Sequence, residues 1–257
     1  MMSMDLRRAF GRWFLLAATV YCLLYINGVS YMIFEYDEYS DALMIFDFGS
    51  AMAFGAPLMP LIAALPFGTS FVGDFSAGFC AMAVPRCGKR RYLLSKALCT
   101  ALSGGAAVAG GMFLFILTVN LLFPQDVSQP MMMSGASDLS VIIEAQGALP
   151  LLGYYLSRMF MQFMAGMWWA TASLAFSAFY PNLPLTLCAP LLLYRIAGWV
   201  GQLPIFPGWM NITWLDDAQV GLTPPQVLLA GLGVFGALTI AAALLFCWRA
   251  GRRLSYA

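Results

Sequence analysis

Six stretches of this sequence run for 19 to 29 residues with at most one charged side chain each. They are residues 13–34, 49–67, 97–123, 151–179, 185–203 and 226–248, and four of them carry no charge at all. About 20 apolar helical residues suffice to cross the hydrocarbon core of a bilayer. In water, such segments would need a large polar shell to hide them. The chain lacks the material for one: of its 257 residues 10% are charged and 61% hydrophobic, against roughly 25% and 45–50% in a soluble domain. A soluble globular enzyme is excluded. The pattern predicts an all-α, polytopic membrane protein with six transmembrane helices in a single transmembrane domain.

The first stretch follows Arg7 and Arg8 and superficially resembles a signal peptide. It is longer than a signal h-region and no clean small-x-small cleavage site follows, so it reads as a retained signal anchor. The fourth and fifth stretches are parted only by Tyr180-Pro181-Asn182-Leu183-Pro184, where two prolines within four residues predict a tight helix break. Arg7, Arg8 and Arg12 precede the first span; Arg86, Lys89, Arg90, Arg91 and Lys96 lie between the second and third; Arg249, Arg252 and Arg253 follow the sixth. Eleven of the thirteen basic residues thus fall on one side, which the positive-inside rule makes cytoplasmic. The opposite loops carry Glu35, Asp37, Glu38, Asp41, Asp47, Asp126, Asp138, Glu144, Asp216 and Asp217 and no basic residue. Residues 1–12 and 68–96 are therefore expected in the cytoplasm, and 124–150 and 204–225 outside, with both termini inside and the chain in the plasma membrane.

Net charge is +1, so no basic surface for nucleic acid is expected. There is no histidine, which removes Ser-His-Asp and Cys-His nucleophiles, HExxH zinc sites and haem held by a proximal histidine. The six cysteines form no CxxC pair and read as small apolar packing residues. No carboxylate falls in the centre of a span, which disfavours a proton- or sodium-coupled carrier. Arg158 and Arg195 remain inside spans. Arg158 sits within snorkelling reach of the outer interface, whereas Arg195 lies near mid-membrane if its span begins at Pro184. Each is a candidate for the cargo pathway or for a structural ion pair.

The segment between the second and third spans is the richest in signals. Phe71, Phe75, Phe79 and Met82 recur at helical spacing, Asp74 falls in the first turn of that predicted helix, and Pro85 is expected to stop it. A basic cluster from Arg86 to Arg91 follows. Two readings stand: an interfacial helix contacting anionic lipid, and a docking element for a cytoplasmic partner.

Asp74, Gly78, Arg86, Gly88, Tyr92 and Lys96 form a pattern that resembles the permeases of type-2 ABC exporters: an acid, glycine four later, then Arg-x-Gly-x-x-x-Tyr-x-x-x-Lys before a span. Asp74 stands where that family more often has glutamate. The resemblance implies six spans, an N-terminal amphipathic elbow helix matched by residues 4–13, and a coupling helix matched by 73–83. It also implies a short turn at 180–184 and an exoplasmic re-entrant hairpin at 204–225. It implies ATPase-subunit docking through Asp74, Phe75, Gly78, Phe79, Arg86, Arg90 and Lys96, with ATP and Mg bound by that partner and no cofactor in this chain. A second permease subunit, identical or paralogous, would complete the pathway. In keeping with a separate ATPase, Gly88-Lys89 is followed by Arg90 and preceded by Ala83 where a phosphate-binding loop needs glycine.

Weaker signals are Gly104-Gly105 and Gly110-Gly111, read as helix packing, and the sequon Asn211-Ile212-Thr213. Trp168, Trp169, Met159, Met161, Met164 and Met167 read as an adaptable apolar wall or as packing, with Trp168 and Met164 as cargo candidates. Asp216-Asp217 reads as a hydrated loop rather than a metal site. The sequence is expected to encode the membrane half of an exporter for an amphipathic cargo: a drug, an antimicrobial peptide or a lipid-linked molecule. No catalytic or metal-binding residue is expected. The rival is a non-transporting interaction or sensor protein that docks a cytoplasmic partner; a lipid-handling enzyme lacks acid–base groups.

Overall fold

A computed structural model describes residues 2–35, 42–52, 55–123, 148–201 and 224–256. The described regular structure is entirely helical: α1 Met2–Ala9, α2 Arg12–Glu35, α3 Ala42–Met52, α4 Gly55–Ala64, α5 Ser70–Ser76, α6 Phe79–Cys87, α7 Lys89–Leu122, α8 Ala148–Phe179, α9 Leu183–Gly201 and α10 Pro224–Tyr256. Among the described residues, four segments are long and apolar enough to cross a membrane: Met2–Ser30, Lys89–Leu122, Leu183–Val200 and Gly231–Leu254. They fit a multi-pass membrane protein.

The remaining two expected spans differ for physical reasons. The second, expected as one helix over 49–67, is α3 and α4, of 11 and 10 residues, each too short to cross alone. The expected outer-loop residue Asp47 lies within α3. The fourth, α8, is long enough at 32 residues but carries Arg158, Gln162, Thr171, Ser173 and Ser177. It tolerates them because it packs against α4, α5, α7, α9 and α10, so protein supplies its polar partners. Gln162 is buried and accepts a 2.7 Å hydrogen bond from Tyr21 of α2, and Ser173 donates to the Thr186 carbonyl of α9 at 2.8 Å.

Glycine sets the closest approach. A Cβ on Gly105 would lie 2.7 Å from the Phe163 carbonyl and 2.7 Å from Met167 Cγ, and one on Gly111 would lie 2.7 Å from the Ala18 carbonyl. The first pair of glycines therefore seats α7 on α8, and Gly111 seats it on α2. Gly110 meets nothing nearer than 3.9 Å and takes no part. One buried core joins α2, α3, α4, α7 and α8, with Tyr25, Phe46, Phe115 and Trp169 at its centre. A second joins α5, α6, α7, α8 and α10 through Phe71, Tyr92, Leu174 and Phe246.

The helix ends also move. The third span was expected from residue 97, but α7 starts at Lys89, which puts Lys96 two turns inside it. The sixth was expected to end at 248, but α10 continues to Tyr256 and carries Arg249, Arg252 and Arg253 on helix. Between α8 and α9, Tyr180, Pro181 and Asn182 make the break, and the Asn182 carbonyl receives the Thr186 amide at 3.0 Å to start α9. The acids from Asp126 to Glu144, Asp216, Asp217 and the sequon at Asn211 lie outside the described residues.

Candidate functional site

The single helix expected over 73–83 is two, α5 and α6, meeting at Ala77-Gly78. Gly78 has φ +67°, a left-handed turn that L side chains avoid, so the axis bends there. Nor does Pro85 stop the second piece. It lies inside α6, which ends instead at Gly88 with φ +80°. The bend lays α5 against α8 and carries Asp74 into the interior, 3% exposed.

At that point a charged cluster closes. Lys96 of α7, with no exposed surface, holds its Nζ 2.7 Å from Asp74 Oδ2 and 3.2 Å from Asp5 Oδ1 of α1. These contacts are ion pairs rather than aligned hydrogen bonds. Arg8, half-exposed on α1, donates through both terminal nitrogens to Asp74 Oδ1 at 3.1 Å. Neutral donors complete the carboxylates: Tyr92 Oη to Asp74 Oδ2 at 3.2 Å, and Ser95 Oγ to Asp5 Oδ2 at 2.7 Å. The Phe67 ring lies 4.6 Å from the ammonium. Two anions meet two cations, so the cluster is neutral, and its carboxylates gain the extra hydrogen bonds a desolvated pair requires. Eight residues are too few for an isolated helix. The cluster gives α1 its anchor, with Asp5 and Ala9 one turn apart on its buried face and Met2 and Met4 left exposed.

A second tie lies beside the first. Arg253 of α10 donates to the Phe179 carbonyl at 2.6 Å, capping the C-terminus of α8, and its guanidinium lies 5.9 Å from the Phe75 ring. Phe71 packs edge-on against Phe246 of α10 at 5.3 Å. The basic segments thus gather at one end of the bundle, where α5 and α6 are fastened to α1, α7, α8 and α10.

This geometry sorts the residues expected to dock a partner. Asp74 and Lys96 are sealed inside and cannot touch another chain in this arrangement; their charge is spent holding helices together. Phe75 and Phe79 are half-buried and pack on the core beneath. Gly78, Arg86 and Arg90 are exposed, and beside them Met82 is 57% exposed. Of the cargo candidates, Arg158, Met164 and Trp168 share α8 and are partly buried, with Arg158 5.8 Å from the Tyr154 ring and Trp168 5.5 Å from Trp169. Arg195 is not with them: it stands on the exposed face of α9 with Leu192, Ile196 and Trp199.

Sequence reasoning missed Asp5, Arg8 and Arg253 as site residues. One signal was present: Asp5 is the only acid before residue 35, set among arginines, where an exposed role would be better served by a base. Burial pushes the Cys80 thiol, 3.3 Å from Tyr92 Oη, upward and keeps it protonated. Among the described residues no three His, Cys, Asp or Glu side chains converge. What the arrangement does is tie α1, α5 and α7 together through charge. Compared with known proteins, the chain matches no family model, no curated protein and no solved structure.

Proposed function

We propose that this chain is the permease subunit of an ATP-driven type-2 ABC exporter, working with a separate ATPase subunit and a second permease copy or paralogue. In this reading the basic end is cytoplasmic, α1 is the elbow helix, and α3 with α4 forms one broken span among six. One observation carries it. The residues of the recognised pattern have distinct, cooperating placements: Asp74, Tyr92 and Lys96 meet in the buried cluster, Gly78 and Gly88 bound α6 with positive φ, and Arg86 stays exposed. An outward edge of Met82, Arg86 and Arg90 is thereby mounted on a rigid base. Closure of the ATPase subunits against that edge would move α5 and α6. The cluster and the Phe71–Phe246 contact would pass the motion to α7 and α10 instead of absorbing it locally. ATP and Mg belong to the partner, and the cargo is an amphipathic molecule crossing between the two permease halves.

The test is a search of the neighbouring reading frames for a Walker-motif ATPase and co-expression of the chain with any that is found. Wild type should copurify it and couple its hydrolysis to transport in proteoliposomes. Met82→Glu should weaken the complex about thirtyfold, the equivalent of a ~2 kcal/mol interface residue, while the protein stays folded. If no such ATPase binds, the exposed edge serves another cytoplasmic partner and the chain is an interaction or sensor protein.

A further inference from the structure

We propose that the last turns of α10 form a site for the phosphate of an anionic phospholipid headgroup, held by Arg249 and Arg252. The proposal rests on the membrane orientation given above and not on the exporter reading.

Charge balance is the first argument. Eleven of the thirteen cationic side chains gather at this end, while its described carboxylates, Asp5 and Asp74, are both occupied by Lys96 and Arg8. Arg249 and Arg252 have no counter-ion among the described residues. Nor does the helix terminus answer for them. The macrodipole acts on the last turn, which contains Arg253, and Arg253 already takes the Phe179 carbonyl.

The second argument is an orphaned donor. Arg249 Nε is buried with no acceptor, and the guanidinium of this part-exposed side chain lies 5.3 Å from the Phe179 ring. Buried donors in native proteins are almost always paired, and the terminal nitrogens of this part-exposed guanidinium are the ones an acceptor from outside the chain can reach. Arg249 and Arg252 are three residues apart and share a helix face, a spacing at which like charges repel. An anionic oxygen between them reverses the sign of that interaction, and guanidinium is the group best shaped to bind phosphate by two parallel donors.

The surroundings of Arg252 select a lipid. Arg252 lies 4.6 Å from the Trp248 ring, and Trp248 is itself exposed, as suits an indole at the headgroup level. From Trp248 toward the bilayer, Ile240, Leu244 and Leu245 present an exposed apolar strip that acyl chains would cover. A soluble phosphate would leave that strip bare.

Native mass spectrometry of the purified full chain in nonionic detergent tests this, with phosphatidylglycerol or phosphatidylcholine added. Wild type should retain phosphatidylglycerol in preference. Arg252→Gln, a change at an exposed side chain, should weaken retention about fivefold, and Arg249→Gln with it about 25-fold. Arg86→Gln/Arg90→Gln should leave retention unchanged, and millimolar inorganic phosphate should not displace the lipid. Equal retention by wild type and Arg252→Gln would overturn the site, as would equal losses in the Arg86/Arg90 variant, which would mean diffuse attraction. Full displacement by inorganic phosphate would overturn the lipid assignment. ATPase copurification is measured separately, so failure of either proposal leaves the other standing.

Discussion

Replacing Lys96 with methionine keeps most of the side-chain volume and removes the one cation at the centre of the buried cluster. Its two anions then fare differently. Asp74 retains Arg8 at 3.1 Å and the Tyr92 hydroxyl at 3.2 Å. Asp5, fully buried, keeps only the Ser95 hydroxyl at 2.7 Å and has no second described cation. Breaking a buried ion pair from one side costs about 3–5 kcal/mol, because the remaining charge stays desolvated and uncompensated. The cost should therefore sit mainly on Asp5. Lys96→Met is expected to lose about 3–5 kcal/mol, and adding Asp5→Asn should recover about 2 kcal/mol of that loss, a coupling typical of contacting groups. Asp74→Asn, which leaves Lys96 beside Asp5, should cost less than Lys96→Met. Reversible SDS unfolding in mixed micelles, followed by tryptophan fluorescence, gives all four free energies. A Lys96→Met protein within 1 kcal/mol of wild type, or Asp5→Asn adding to its loss, would refute the argument that a closed charge cluster anchors α1 (both limits set on the order of the scatter between independent mutations).

Two glycines, Gly73 within α5 and Gly78 at the junction of α5 and α6, should respond with opposite signs. Gly78→Ala should destabilise by about 1–2 kcal/mol through its φ of +67°, although no atom lies within 4 Å, whereas Gly73→Ala, helical and equally open, should stabilise by about 0.5–1 kcal/mol. Thermal melts in detergent check both. Gly105→Val should cost about 1–3 kcal/mol, since the new Cβ meets the rigid Phe163 carbonyl, and cysteine cross-links between α7 and α8 should weaken accordingly. Arg195→Leu should assemble normally and abolish transport, while Arg195→Lys should impair it for anionic cargo alone; loss of folded protein on Arg195→Leu would instead identify a structural ion pair, and unchanged cargo-stimulated ATPase activity in both would remove Arg195 from the pathway.

Charge-free runs made most of the helices legible, because a span is a local property that twenty consecutive residues specify. Where neighbours decide, the reading failed. The polar residues of α8 look like a weaker span in sequence and are tolerated only because surrounding helices satisfy them. The periodicity of Phe71, Phe75, Phe79 and Met82 identified a shared face without saying which way it points; the bend at Gly78 turns the first three toward α7 and α10 and leaves Met82 outside. Pro85 was misjudged because a missing amide hydrogen can be tolerated in a short, exposed helix whose end is set by Gly88. Asp74, Tyr92 and Lys96 could be recognised as a group from their spacing, but not as a buried one. Asp5 stands out as a lone acid among arginines, but its pairing is illegible: nothing local in either segment encodes a contact across so much chain.

That separation bears on the order in which the protein assembles. Asp5 and its partner Ser95 are 90 residues apart. Ribosomes add about 5–20 residues per second, so α1 emerges several seconds before the α7 groups that receive it. During that interval Asp5 is an unpaired carboxylate on a helix too short to persist by itself, and α2 must insert without it. Docking of α1 is then among the later events of synthesis, and it can occur only if α7 has reached the depth that brings Lys96 level with Asp74. A misplaced α7 would leave α1 without the ion pairs that dock it.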